Sequence, residues 1–204
     1  MLGLYYAPGA CSMAAHIALE ESGETYEPIR MDLAKGDQRS EAYLKLNPLG
    51  RVPLLRLDDG TPLSENTAIL PYLGKRFGLW PTDALGEAKL LSLIGYFAAT
   101  VHPAFAHMSR PERYTDDASD FPALREKGLK TFHGYLKDID ARLAGREWLA
   151  DRYSVVDPYA LVFYAWGKRR ELPVAELKNY TAFKDRMLQR PAVQRAIADE
   201  QVKV

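Results

Sequence analysis

The hydrophobic positions of this chain change period near residue 80: before it, short apolar runs alternate with helical patterns, and after it only helical periods remain. Residues 2–6 have the length and aromatic content of a strand, and Pro8-Gly9 signals a turn. Ala14, Ala15, Ile17, Ala18 and Leu19 then predict a helix over 12–22, stopped at Gly23. A second strand is read over 26–31, a polar loop over 32–39, and a short helix over 40–46 closed by Asn47-Pro48. Such a strand–helix–strand unit favours parallel pairing. Apolar runs on either side of Asp59-Gly60 predict an antiparallel hairpin, and a helix over 64–77 completes the order βαβαββα.

Turn residues around Trp80 mark a boundary, dividing the chain into 1–77, a linker over 78–83 and an all-helical part over 84–204. Leu90, Ile94, Phe97, Val101 and Phe105 form one apolar stripe of a long helix, and Leu129, Phe132, Leu136, Ile139 and Leu143 form a second. Ser154-Val155-Val156-Asp157 has capping-box spacing ahead of a run over 159–166 that is apolar all round, the pattern of a helix buried on every side. Two further helices are predicted over 180–189 and 191–201.

With 47% hydrophobic and 26% charged residues in 204, the composition is that of an ordinary globular chain. Lys plus Arg balances Asp plus Glu at 27 each, so no global field draws nucleic acid or an anionic membrane. No basic segment followed by an apolar core opens the chain, no apolar run approaches a membrane span, and one cysteine allows no internal disulfide; the expectation is a cytoplasmic protein.

That cysteine, Cys11, stands where the first helix begins. Free N–H groups and the positive end of the helix dipole favour a thiolate there, so a lowered thiol pKa is expected; the bland alternative is a small core residue. There is no CxxC, no HExxH and no histidine pair at i and i+4, so no metal site is expected.

Tyr5-Tyr6-x-Pro8-Gly9-Ala10-Cys11-Ser12, Asn47-Pro48-x-Gly50-x-Val52-Pro53, Glu65-Asn66-x-Ala68-Ile69 and Ser154-x-x-Asp157 occur in order, and with them the whole chain resembles a glutathione transferase, most of all the bacterial beta class. The resemblance implies a thioredoxin-like N-terminal domain followed by an all-α domain, a two-fold homodimer, and glutathione as co-substrate with no other cofactor. It implies a cis Val52-Pro53 peptide that presents the Val52 backbone to glutathione, Glu65 and Asn66 at the γ-glutamyl end, Lys35 at the glycyl carboxylate, and Cys11 beside the sulfur. Ser12 or Tyr6 could donate to the glutathione thiolate as well as Cys11. His102 aligns with the class's active-site histidine. Two positions depart: Gly95 stands where the class commonly has asparagine and Pro103 where it commonly has lysine. Tyr96, Phe97, Thr100, His102, Phe105 and Met108 are left to line an apolar site for a small hydrophobic electrophile.

Two chemistries stay open: conjugation with glutathione as nucleophile, and thiol–disulfide or peroxidase chemistry at Cys11, where glutathione would have to be the resolving thiol. The rival reading is an interaction protein on the same fold without glutathione chemistry.

Overall fold

The computed structural model describes residues 1–204. Strands β1 (Gly3–Tyr6), β2 (Glu27–Arg30), β3 (Leu54–Arg56) and β4 (Pro62–Ser64) form one sheet in the order β2-β1-β3-β4. β1 pairs parallel with β2, opposite Leu4 to Pro28, and antiparallel with β3, opposite Leu4 to Leu55. The β3–β4 hairpin turns at Gly60, φ 89°, where the Asp59 carboxylate accepts the Thr61 N–H at 2.9 Å. Helices α1 (Met13–Ser22), α2 (Glu41–Leu46) and α3 (Asn66–Arg76) lie in this half. α2 starts as its sequence predicts, the Ser40 hydroxyl accepting the Tyr43 N–H at 3.3 Å. α1 ends at Gly23, φ 67°.

From Ala84 onward the chain is helical: α4 (Ala84–Tyr96), α5 (His102–Ser109), α6 (Phe121–Arg142), α7 (Val156–Arg169), α8 (Lys178–Leu188) and α9 (Pro191–Glu200). A π-turn over Phe97–Val101 joins α4 to α5 as one continuous helix, Ala84–Ser109, and such wider turns recur at functional sites. By length and composition this helix is apolar enough to cross a bilayer, which corrects the expectation that no apolar run approaches a membrane span. Its Leu90, Ile94, Phe97 and Val101 stripe is buried in the protein core.

Seven successive residues of α1, Met13–Leu19, are buried, because the helix is sandwiched between the sheet on one side and α7 and α9 on the other. α7 is buried from Val156 through Gly167, as its all-round apolar sequence predicts. One cluster of 40 buried hydrophobic residues runs from Leu2 to Ala196 and joins both halves. Only half of the predicted capping box forms at α7. The Asp157 carboxylate reaches back to accept the Ser154 N–H at 2.8 Å, but the Ser154 hydroxyl donates to that carboxylate at 3.2 Å instead of accepting from the helix. The carboxylate also accepts the Leu149 N–H at 3.0 Å, tying the preceding loop to the helix start.

Candidate active site

A cavity of about 540 Å³ opens between the two halves. Its thioredoxin-like wall carries Cys11, Val52, Pro53, Glu65 and Asn66, and the helical wall carries His102, Phe105, Tyr159 and Trp166. The sequence predicts the first set and, on the helical wall, His102 and Phe105; the fold brings these to one cleft together with Tyr159 and Trp166, which the sequence did not mark as site residues.

Each wall has a local cause. The Val52-Pro53 peptide is cis, and the Val52 carbonyl accepts the Cys11 S–H at 3.4 Å. Glu65 precedes α3 at φ 70° and ψ 130°, a left-handed conformation that side chains resist at a cost of about 1 to 3 kcal/mol and that collects at functional sites. The Asn66 amide donates to the Cys11 carbonyl at 3.0 Å, so the acidic and amide groups are pinned beside the cysteine, and the buried Asn66 Oδ1 has no partner. Across the cleft, Phe105 stacks on Trp166 with ring centres 4.1 Å apart, and His102 meets Trp166 edge-on at 4.9 Å while its Nδ1 lies 3.2 Å from the Tyr159 hydroxyl.

Electrostatics correct the expectation for Cys11. Burial, then the Glu65 carboxylate, push its thiol up to about 12, although Arg110 and the N–H groups of Cys11 and Ser12 act in the opposite sense. The helix-start donors are present, but desolvation outweighs them, and Cys11 is a thiol and a hydrogen-bond donor at neutral pH. Burial holds the His102 imidazole down to about 4, with Arg110, Arg113 and Arg51 adding to the effect, so it is neutral in the same range.

Other predicted site residues fall elsewhere. The buried Ser12 hydroxyl donates to the Ala7 carbonyl at 3.2 Å and accepts the Ala7 N–H at 3.1 Å, so its one proton is spent inside the turn. Tyr6 is buried against His16, ring centres 4.8 Å apart, behind the cavity. Neither hydroxyl is placed to donate to a thiolate in the cleft. Lys35 is 80% exposed and pairs with Asp32 at 3.5 Å, outside the cavity lining. On the long helix, Ala98, His102, Phe105, Ala106 and Ser109 face the cleft at helical steps. Phe97 and Met108 turn into the protein, Tyr96 packs on Tyr135 and its hydroxyl meets Asp138 at 3.4 Å, and Thr100 is not at the cavity.

The sequence did not reveal what holds the turn ahead of Cys11. The Gly9 carbonyl accepts the Trp166 indole N–H at 2.9 Å and Arg169 Nη2 at 3.3 Å, and the Gly9 N–H donates to Glu200 at 2.7 Å. Glu200 is 1% exposed and its other oxygen meets His16 Nδ1 at 2.9 Å. The sequence signal was Gly9 itself, since its φ of 64° favours glycine and an added Cβ would stand 2.5 Å from Arg169 Nη2. His16, Glu20 and Asp199 also gather, with ligating atoms within 4.8 Å of one another. Glu20 there already accepts from Tyr26 at 2.6 Å and from Arg195 at 2.5 Å.

A thioredoxin-like sheet with a cis proline beside a cysteine, facing an aromatic wall from a helical half, defines a two-substrate thiol enzyme. The comparisons specify which. Residues 9–76 match the family described as glutathione S-transferase, N-terminal domain. Glutathione S-transferase GstA of Escherichia coli O157:H7 is 34% identical, over 98% of this chain and 99% of its own. A glutathione transferase homolog from Sulfitobacter, solved with bound glutathione, superposes with a TM-score of 0.93 at 33% identity, over 99% of both chains. A beta-class glutathione S-transferase of Sphingomonas chungbukensis does so at 0.85 and 32%, over 97% of this chain and 98% of its own. The chain belongs to the glutathione S-transferase family, and its chemistry is that of a glutathione transferase.

Proposed function

We propose that the chain binds reduced glutathione along Val52-Pro53 and Glu65-Asn66 and joins its sulfur to an aromatic electrophile held against His102, Phe105 and Trp166. The observation that carries this reading is the single cavity lined by both sets of residues. The exposed edge of Val52 would pair with the cysteinyl backbone of glutathione, setting its sulfur beside Cys11. Cys11, protonated at neutral pH, would turn its S–H from the Val52 carbonyl, a long contact of 3.4 Å, to the glutathione thiolate, with the N–H groups of Cys11 and Ser12 favouring the same charge. The thiolate then attacks the electrophilic carbon, a C–S bond forms, and the leaving group departs with its bonding electrons. His102 contributes as a neutral imidazole. A homodimer, as the family resemblance implies, would cover part of the exposed surface of α4, where Leu85 and Leu91 are 66% and 45% exposed.

The test is calorimetric titration of the reduced protein with glutathione. Saturable binding in the micromolar to low millimolar range is expected, weakened about tenfold or more by Glu65→Gln because charge-assisted contacts are the strong ones. No heat at two temperatures and no competition by a glutathione conjugate would turn the reading toward the interaction protein.

Redox chemistry at Cys11 is disfavoured by the same thiol. Its thiolate fraction at pH 7.5 falls about a thousandfold below that of an ordinary cysteine, and higher intrinsic nucleophilicity restores only part of this, so alkylation by iodoacetamide is expected about thirtyfold slower or more. The rate should climb with pH through 10 without levelling. A plateau near pH 7 would establish a reactive thiolate and restore the redox reading.

A further inference from the structure

The cavity is strongly basic in a chain of zero net charge. Arg39, Arg51, Arg110, Arg113 and Arg169 line it, and Glu65 is the one carboxylate among the lining residues. None of the five is in an ion pair. Arg110 ends α5 and Arg113 lies on the short 3₁₀ turn Pro111–Arg113 that follows, so both belong to the helical wall with His102 and Phe105. Arg51 approaches from the opposite wall, beside Val52. The three act on one spot: Arg110 and Arg51 disfavour the charge on Arg113, and all three disfavour a charge on His102. Like charges that outnumber the single carboxylate of a cleft repel one another, and an anion entering the cleft relieves that repulsion.

Glutathione brings carboxylates of its own, but the reading above lays it along the thioredoxin-like wall, where Arg39 and Arg51 are in place of the distant Lys35. Arg110 and Arg113 face it from the electrophile side. Beside them the half-buried Phe105, stacked on the buried Trp166 and with the Arg170 guanidinium 5.6 Å from its ring centre, lines the cavity. Planar guanidinium groups next to an aromatic platform suit a ring that bears a carboxylate.

Resting on the transferase reading, we propose that the electrophile side selects anionic aromatic electrophiles, with Arg110 and Arg113 holding a ring carboxylate while glutathione attacks the ring. In the reaction to be tested, the glutathione sulfur displaces chloride from an activated aryl carbon. The C–S bond forms, chloride leaves with the C–Cl electron pair, and the thiol proton passes to solvent.

The experiment compares 1-chloro-2,4-dinitrobenzene, which is neutral, with 4-chloro-3,5-dinitrobenzoate, which is anionic, each corrected for its uncatalysed rate. The wild type is expected to prefer the benzoate at least about tenfold in kcat/KM at low salt, with the preference shrinking as potassium chloride rises. Arg110→Gln with Arg113→Gln should lower kcat/KM for the benzoate about ten- to hundredfold and for the neutral substrate less than about threefold, leaving the KM for glutathione unchanged. Equal losses on both substrates, or a KM for glutathione that rises with either, would assign these arginines to glutathione and overturn the proposal. So would turnover of both substrates by the wild type without preference, which leaves the transferase reading standing. Turnover of neither, together with no glutathione binding, would remove both.

Discussion

Asp157→Ala is expected to lower the free energy of unfolding by about 3 to 5 kcal/mol, because it strips the acceptor from two buried backbone N–H groups and a hydroxyl at once. The Leu149 and Ser154 amides donate at 3.0 and 2.8 Å and the Ser154 hydroxyl at 3.2 Å, inside a buried loop-to-helix corner. Asp157 and Ser154 are 0% and 3% exposed, so the unpaired groups would carry their desolvation cost in full. For a chain of this length the loss corresponds to a fall in Tm of about 10 °C. Urea unfolding of the wild type, Asp157→Ala and Asp157→Asn checks it. The asparagine, which keeps one acceptor oxygen, should fall between the two, and an alanine variant within about 1 kcal/mol of wild type would show that the corner is held by packing alone.

Gly9→Ala is expected to cost about 2 to 3 kcal/mol, from two sources that can be separated. One is the backbone: φ is 64°, where an alanine is strained. The other is the contact of the new Cβ with Arg169 Nη2 at 2.5 Å, which forces that guanidinium off the Gly9 carbonyl. In an Arg169→Ala background the second source is gone, and the same substitution should cost only about 1 to 2 kcal/mol. Equal costs in the two backgrounds, measured by chemical denaturation, would show that Arg169 yields freely and that only the backbone resists.

The parts of the molecule written in contiguous residues were legible in the sequence. Turn residues and periodicity placed every strand and most α-helices to within a few residues, although α6 begins at Phe121, eight residues ahead of the stripe that marked it, and the antiparallel docking of β3 beside β1 was not read at all. Two kinds of information were not legible. The first is which face of a helix meets the cleft. The long helix bears apolar groups on several sides, so Phe97 and Met108 could be exchanged for Ala98 and Ala106 without violating any period. The second is contact across long separations: Trp166 and Glu200 reach Gly9 over 157 and 191 residues, and nothing local in either stretch points there. The Cys11 thiol failed for a related reason. Its local donors were read properly, while burial and the Glu65 carboxylate, supplied by distant chain, outweigh them.

The shared core has a consequence for how the protein comes apart. Because 40 buried side chains form one cluster from Leu2 to Ala196, and α1 is covered on one side by the sheet and on the other by α7 and α9, neither half has a complete interior without the other. The halves that the periodicity separates are therefore expected to behave as one thermodynamic unit: denaturant unfolding should show a single cooperative transition, and the first 77 residues alone would expose the outer face of α1. The cleft lies at the rim of that common interior, so its two walls cannot swing apart without opening the core. The cleft is thus a preformed notch, not a gap between hinged jaws.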